Sequence, residues 1–377
     1  MKIAHVITYI SPDGAYGGPV RVAFGQAAEL ARRGCEVTVY AGSARRDRHD
    51  YRQDGYLVRE FPANQISKRL GFAGMYARGL GRELRRDLRT TDVVHVHMAR
   101  DLVTLPAAFV TMFSKTPFFV QSHGMIDSST KLLSAPVDGL ATRRLLRGAQ
   151  AVLALTEREK FDLRSIEADC RVTEIVNGIE LVETPSYTGR EPAVLFMARL
   201  QQRKRPVSFV EMAGVLVRAG CEESFRIAGP DEGELDHVLR EIRAQGLGER
   251  VRYVGPVDPS QTDRELRQAS VFVLPAVDEV FPMTMLEAFR MGTPVVTTSS
   301  LGIARVCEEY GAAVITDGSP QGLADGVKAV LADEVCAESL RAGARRLLEE
   351  RLSIAAVGDR LLEMYSSVTG TDARSEQ

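Results

Sequence analysis

Two rhythms of apolar and polar positions alternate along the chain. Short apolar runs, Lys2–Thr8 (KIAHVIT), Val37–Ala41, Tyr56–Phe61, Asp92–His97, Phe118–Ser122, Val152–Leu155 and Val172–Val176, predict buried strands. Between the first two, Val22, Phe24, Ala27 and Leu30 recur at helical spacing, so Val20–Arg33 predicts a helix with Pro19 in its first turn and Gly34 as its stop. Strand, helix, strand is the grammar of a parallel sheet with right-handed crossovers. Thr156 followed by Glu159 predicts a capped helix over Glu157–Ile166. A long helix is predicted over Ser67–Leu88, with Leu70, Met75, Tyr76, Leu80, Leu84 and Leu88 to one side and Lys68, Arg69, Arg78, Arg82, Arg85, Arg86 and Arg89 on the others. Residues 44–54 (ARRDRHDYRQD) carry no apolar rhythm and predict a surface loop.

Residues 182–192 turn to Glu, Thr, Pro, Ser, Tyr and Gly, the composition of an interdomain linker. Beyond it the same grammar restarts. Strands Ala193–Met197, Phe225–Ala228, Val251–Val254, Val271–Leu274, Val295–Thr297 and Ala313–Thr316 alternate with helices, and Ile354–Tyr365 predicts a last one. The expected division is 1–184, 185–352, and a C-terminal segment, 353–377, whose return to the first domain is one option.

The length of 377 residues suits two domains, and 45% hydrophobic with 26% charged residues is globular composition. The sequence holds no apolar run near the ~20 residues that span a bilayer, and its first strand starts without a signal-peptide plan, so a cytoplasmic protein is expected. Charge is uneven: residues 1–180 hold 26 basic against 20 acidic residues and the remainder 22 against 30. A basic first half, with the helix expected over Ser67–Leu88, admits phosphates or peripheral contact with an anionic membrane, or an ordinary outer layer. The five cysteines are scattered without CxxC spacing, which suggests core thiols rather than a zinc knuckle or disulfide framework.

Candidate chemistry gathers where strands end. After Val271–Leu274 comes a turn-rich loop with Glu279, then a helix from Met283 that contains Glu287 and is closed by Gly292. Free N–H groups at that helix start would suit an anion or a sugar oxygen, while a solvated helix face is the plainer account of two glutamates. After Ala193–Met197 the run ARLQQRKRP brings Arg199, Arg203, Lys204 and Arg205, a plausible phosphate clamp in which Lys204 is expected to be exposed. Gly17 and Gly18 fall in the loop between the first strand and helix, where backbone can approach a phosphate or simply turn. That loop is not GxGxxG and the second strand ends in Ala41-Gly42-Ser43, which disfavours a dinucleotide. His95 and His97 share a strand face, but with no third ligand nearby in sequence they read as hydrogen-bonded groups sooner than as metal ligands. His123 enters a loop at a strand end, placed either for a ligand or as a cap. Together the clamp and the carboxylates point to a nucleotide-sugar or sugar-phosphate ligand.

At these residues the chain resembles the retaining glycosyltransferases of family 4. Glu279 to Glu287 is similar to the family's E-x7-E signature, Arg199 and Lys204 to its arginine and lysine, Gly17-Gly18 to its glycine pair, and Ser122-His123-Gly124 to its histidine segment. Val176-Asn177-Gly178-Ile179, Gly229-Pro230-Asp231 and Gly292-Thr293-Pro294 match further landmarks in order. The resemblance implies an α/β protein of the GT-B fold, two Rossmann-like domains facing each other across a cleft, with acceptor bound in the first and donor in the second. It implies a hexosyltransferase acting on a nucleotide sugar, UDP-linked by family frequency with GDP open, without metal or cofactor and without a nucleic-acid partner. Arg199 and Lys204 would neutralise the donor diphosphate and Gly18 would donate its N–H to it. Glu279 would accept sugar hydroxyls beside backbone contacts from Phe281, Pro282, Met283 and Thr284, Glu287 would hold the ribose, and His123 would contact the sugar near the reacting carbon. Pro282 and Arg205 depart from the family's glycines at positions expected to touch the donor. The acceptor stays open between a polysaccharide or lipid-linked precursor and a small molecule such as an aminocyclitol. A GT-B phosphorylase or sucrose-synthase-like enzyme and a non-enzymatic sugar-nucleotide binder are the alternatives.

Overall fold

The computed structural model describes residues 1–11, 17–67, 73–126, 138–182 and 193–370. The chain divides into two compact units, one made of residues 1–180 with the stretch from Ile354 onward, the other of Leu181–Ser353.

Unit 1 is built on β1 (Lys2–Ile10), β2 (Glu36–Ser43), β3 (His49–Gln53), β4 (Tyr56–Gln65), β5 (Met75–Ala77), β6 (Val93–His97), β7 (Phe118–Gln121), β8 (Ala151–Ala154) and β9 (Val172–Glu174). Their order is β3-β4-β2-β1-β6-β7-β8-β9, parallel throughout except that β3 and β5 pair antiparallel with β4. Side chains alternate across a strand, so Ile3 and Ile7 join one core with Ala23, Ala27 and Leu30 of helix Gly17–Arg32, while Ala4 and Val6 join the other with Leu84, Ala108 and Leu146. Helix Ile354–Thr369 covers the first face through Val357, Leu361, Met364 and Tyr365. Its entry explains Gly178: a Cβ there would stand 2.6 Å from Ile354 Cα, and the Ile354 N–H donates to the Ile179 carbonyl at 2.9 Å.

Unit 2 holds β10 (Ala193–Met197), β11 (Ser224–Ala228), β12 (Val251–Gly255), β13 (Val271–Leu274), β14 (Val295–Thr298) and β15 (Val314–Thr316). All are parallel, in the order β12-β11-β10-β13-β14-β15. This is doubly wound α/β topology, whose ligand crevice lies beyond the strand ends where the order reverses. Here that point lies between β10 and β13, and in unit 1 between β1 and β6. Gly229 after β11 is required by contact, since its φ is 134° and a Cβ would meet the Ala198 carbonyl oxygen at 1.9 Å.

Three expectations are corrected. Residues 44–54 are not a loop: His49–Gln53 is a strand joined to β4 by Asp54 (φ 46°) and Gly55 (φ 86°), a two-residue turn that matches strand twist. The helix expected over Ser67–Leu88 covers only Leu80–Asp87, while Met75–Ala77 is a strand and Gly79, at φ 89°, separates the two; residues 68–72 lie outside the described residues. The first helix starts at Gly17 rather than Val20, which puts both glycines inside its first turn, where Pro19 lacks only an N–H that would be unbonded anyway. No helix among the described residues is long and apolar enough to cross a membrane.

Candidate functional site

The connection leaving β10 makes a tight turn, Gln202–Lys204, before helix Pro206–Arg218. The connection leaving β13 runs through Asp278, at φ 50°, into helix Met283–Arg290. The two loops are stitched by the Val277 N–H donating to the Arg203 carbonyl at 2.9 Å. Across the stitch Glu279 Oε2 pairs with Lys204 Nζ at 3.0 Å and with Arg203 at 3.1 Å. Lys204 is not exposed as expected but buried, at 9% exposure. Burial pushes its ammonium below the ordinary lysine range, and Glu279 pulls the other way. A desolvated cation over a fixed carboxylate at a parallel-sheet switch point is a preorganised charge pair, strongest where water is excluded.

The other members of the expected clamp diverge. Arg199 is exposed and reaches Glu232 at 3.0 Å, yet stands near enough to lower Lys204 further. Arg205 takes a left-handed backbone, φ 52°, and donates to the Gly318 carbonyl at 2.9 Å. The family glycine at this position therefore answers a conformational need, and this arginine is spent on its own domain. Phe281 and Pro282 are buried, Met283 and Thr284 open the helix, and Glu287 is 5% exposed inside it, so the plain reading of a solvated glutamate face fails at Glu287. Pro282 sits at φ −82°, a backbone that proline favours.

In unit 1 parity places His5, His95 and His97 on the face under helix Ile354–Thr369, and the register pairs His5 directly with His95. His97 Nδ1 lies 2.8 Å from His123 Nε2, His97 Nε2 lies 2.9 Å from His5 Nδ1, and His95 Nδ1 lies 2.6 Å from the Tyr365 hydroxyl. Burial holds His5 and His123 down at about 3 and His95 and His97 well below the usual histidine range, so all four rings are neutral. His5 supplies the third histidine that sequence proximity could not, and nitrogens of His5, His95 and His97 lie within 4.8 Å of one another. The rings are spent otherwise: His95 and His97 stack at 4.5 Å and 11°, so one ion cannot lie in both ring planes, and His5 and His97 bond each other.

His123 itself is bent to φ 52° and clamped by a carboxylate that sequence reading took for a cap alone. Thr156 Oγ1 accepts the Glu159 N–H as a cap should. The Glu159 carboxylate, however, accepts the Gly124 N–H at 2.6 Å, the Leu155 N–H at 2.7 Å and the Ser122 hydroxyl at 2.5 Å, enclosing the histidine turn. Gly18 is exposed, and a Cβ there would meet no atom within 4 Å, so the fold itself does not ask for glycine. An open pocket beside this cluster is lined by Thr8, Tyr9, Pro19, Val20, His97 and Met125.

Residues 17–178 match the model of the glycosyl transferase 4-like domain and residues 183–347 that of the glycosyl transferases group 1. The chain is 31% identical over 203 residues to a D-inositol 3-phosphate glycosyltransferase of Paenarthrobacter aurescens (strain TC1), covering 49% of this chain and 50% of that protein, so this match spans only half the length of that relative. It is 26% identical over 311 residues to an alpha-D-kanosaminyltransferase of Streptomyces kanamyceticus, covering 75% of this chain and 80% of that protein. Among solved structures it is similar to Anabaena Alr3699/HepE in complex with UDP, with a TM-score of 0.74 at 17% identity over 97% of this chain and 100% of that one.

Proposed function

This chain belongs to the family 4 glycosyltransferases of the GT-B fold, and on that premise we propose that it moves a hexosyl group from a UDP-sugar to a hydroxyl of a small cyclitol, with retention of anomeric configuration. The observation that carries this reading is the Arg203–Glu279–Lys204 cluster at the switch point of unit 2. Lys204 and Arg199 meet the charge that grows on the departing diphosphate, where stabilisation lowers the barrier most. Glu279, already fixed by two cations, orients sugar hydroxyls, Glu287 holds the ribose, and the start of helix Met283–Arg290 offers backbone N–H groups. His123 is given to the transferred sugar and the Gly18 N–H to the phosphates. The acceptor oxygen bonds to the anomeric carbon as the carbon–phosphate oxygen bond breaks, and the acceptor proton passes to the leaving phosphate oxygen. Glu279 is then a positioning group and no cofactor or metal is called on.

The UDP held by the Anabaena protein supports uridine, and the relative named for D-inositol 3-phosphate supports a cyclitol over a lipid-linked acceptor. The test is release of free nucleotide from a panel of UDP- and GDP-sugars with inositol phosphates, aminocyclitols and lipid-linked acceptors, followed by product NMR. Turnover that needs UDP and a cyclitol, persists in chelator and keeps the donor's anomeric configuration is expected. Turnover only on lipid-linked or polymeric acceptors would overturn the acceptor, and an inverted product the stereochemistry.

A further inference from the structure

The chain of rings behind His123 has a property that its distances alone determine. His123, His97 and His5 are joined Nε2 to Nδ1 and Nε2 to Nδ1 at 2.8 and 2.9 Å, and a neutral imidazole carries a single N–H. Two hydrogen bonds along such a chain can be made in only two ways. Either all three rings carry the proton on Nδ1, or all three carry it on Nε2. The far end decides between them: His5 is 0% exposed, and among the described residues its Nε2 has no hydrogen-bond partner. The Nε2 form would bury an orphan N–H there, whereas the Nδ1 form leaves only a bare lone pair, and orphan buried N–H groups are the rarer of the two.

We propose that His97 and His5 are positioning residues that lock His123 as the Nδ1–H tautomer, so that it presents a neutral hydrogen-bond donor, not an acceptor, to an oxygen of the transferred sugar. This rests on the assignment of His123 to the sugar made above. It explains why a histidine in an apolar strand, remote from any strand end, is kept polar: His5 is the terminus that biases the whole row. It also divides the labour at the turn, since Glu159 fixes the backbone of His123 and the histidine row fixes its proton.

The experiment reads the tautomer directly. Long-range proton–nitrogen correlation NMR on histidine-labelled wild-type protein reports which ring nitrogen of His123 is protonated, with no variant needed, and Nδ1–H is expected. A protonated Nε2 on His123 would overturn the relay whatever the activity. In His5→Leu, which frees His97 to turn round, the His123 signal is expected to shift towards Nε2–H, with kcat about tenfold lower, the worth of one neutral hydrogen bond, and UDP affinity changed less than twofold. Loss of kcat and UDP affinity together, with the His123 tautomer unmoved, would mark His5 as merely structural and overturn the proposal. Unchanged turnover in a folded His123→Ala protein would instead remove the assignment beneath it, a result separable from the tautomer.

Discussion

At the switch point of unit 2 a carboxylate is gripped by an arginine and a half-desolvated lysine, every group charged. At the switch point of unit 1, where β1 meets β6, the polar groups are four neutral imidazoles in a row of hydrogen bonds and stacks. The parallel strands of both sheets wind in the same order, so topology supplies the place and not the chemistry. The difference teaches that the charged half of a nucleotide sugar and its uncharged half need different surroundings. Growing negative charge is met by fixed cations, whereas hydroxyls are ordered by neutral donors that cannot be recruited into ion pairs.

Removing the charge from unit 2 should have the largest effect. Lys204→Ala is expected to lower kcat/KM at least ~10²-fold while the protein stays folded. A folded variant with near-wild-type turnover would move the grip on the diphosphate elsewhere. In unit 1, Glu159→Gln keeps the shape of the carboxylate but supplies an N–H where an acceptor is needed, so the His123 turn should loosen. A fall in kcat of about tenfold is expected with UDP affinity unchanged, the equivalent of one lost hydrogen bond, and equal loss of both would mean that the turn serves folding alone.

Acid should separate the two units. His5 and His123 titrate near 3 in the folded protein, below the unfolded value of 6.5, so the unfolded chain takes up protons that the folded one refuses. The stability of unit 1 is thus complete above pH 6.5 and lost as pH falls from there towards 3, by up to about 1.4 kcal/mol per pH unit for each such ring. The single histidine of unit 2, His237, is half-exposed on a helix. Hydrogen exchange at pH 7 and pH 5, corrected for intrinsic rates, should show protection falling in β1 before β10; equal losses would erase the contrast. The smallest effect is expected from Arg205→Gly, which relieves a left-handed residue and loses the bond to Gly318. Urea denaturation should move by less than about 1 kcal/mol in either direction, and donor affinity should not change. A tenfold weaker donor would return Arg205 to the site.

How much of this could be read from sequence depends on how each signal is written. Strands such as Ala193–Met197 and Val271–Leu274 are buried on both faces and appear as plain apolar runs. β3 escaped because its residues HDYRQ lie at a sheet edge and carry no alternation, leaving Asp54-Gly55 as the one legible mark of a hairpin. The Ser67–Leu88 helix was overdrawn because a strand and a short helix, joined end to end, imitate one amphipathic period when the glycines at 71, 74 and 79 are not weighed. At the site, Lys204 and Glu279 each follow a strand and could be found. His5 could not, since its meaning comes only from register with β6, and Glu159 declared its backbone role as a cap while hiding what its carboxylate holds.

The return of the chain at Ile354 has a consequence for the order in which the protein is made. Residues of unit 2 are contiguous, so everything their core needs is present once synthesis has passed Ser353. The core of unit 1 lacks Val357, Leu361, Met364 and Tyr365 until later still, although its first strand is the first to leave the ribosome. Until then the row of histidines lies uncovered and His95 has no Tyr365 hydroxyl to bond. The unit begun first is therefore the last to be finished, and a nascent chain stalled before Ile354 would carry a completed charged site beside an unsealed neutral one.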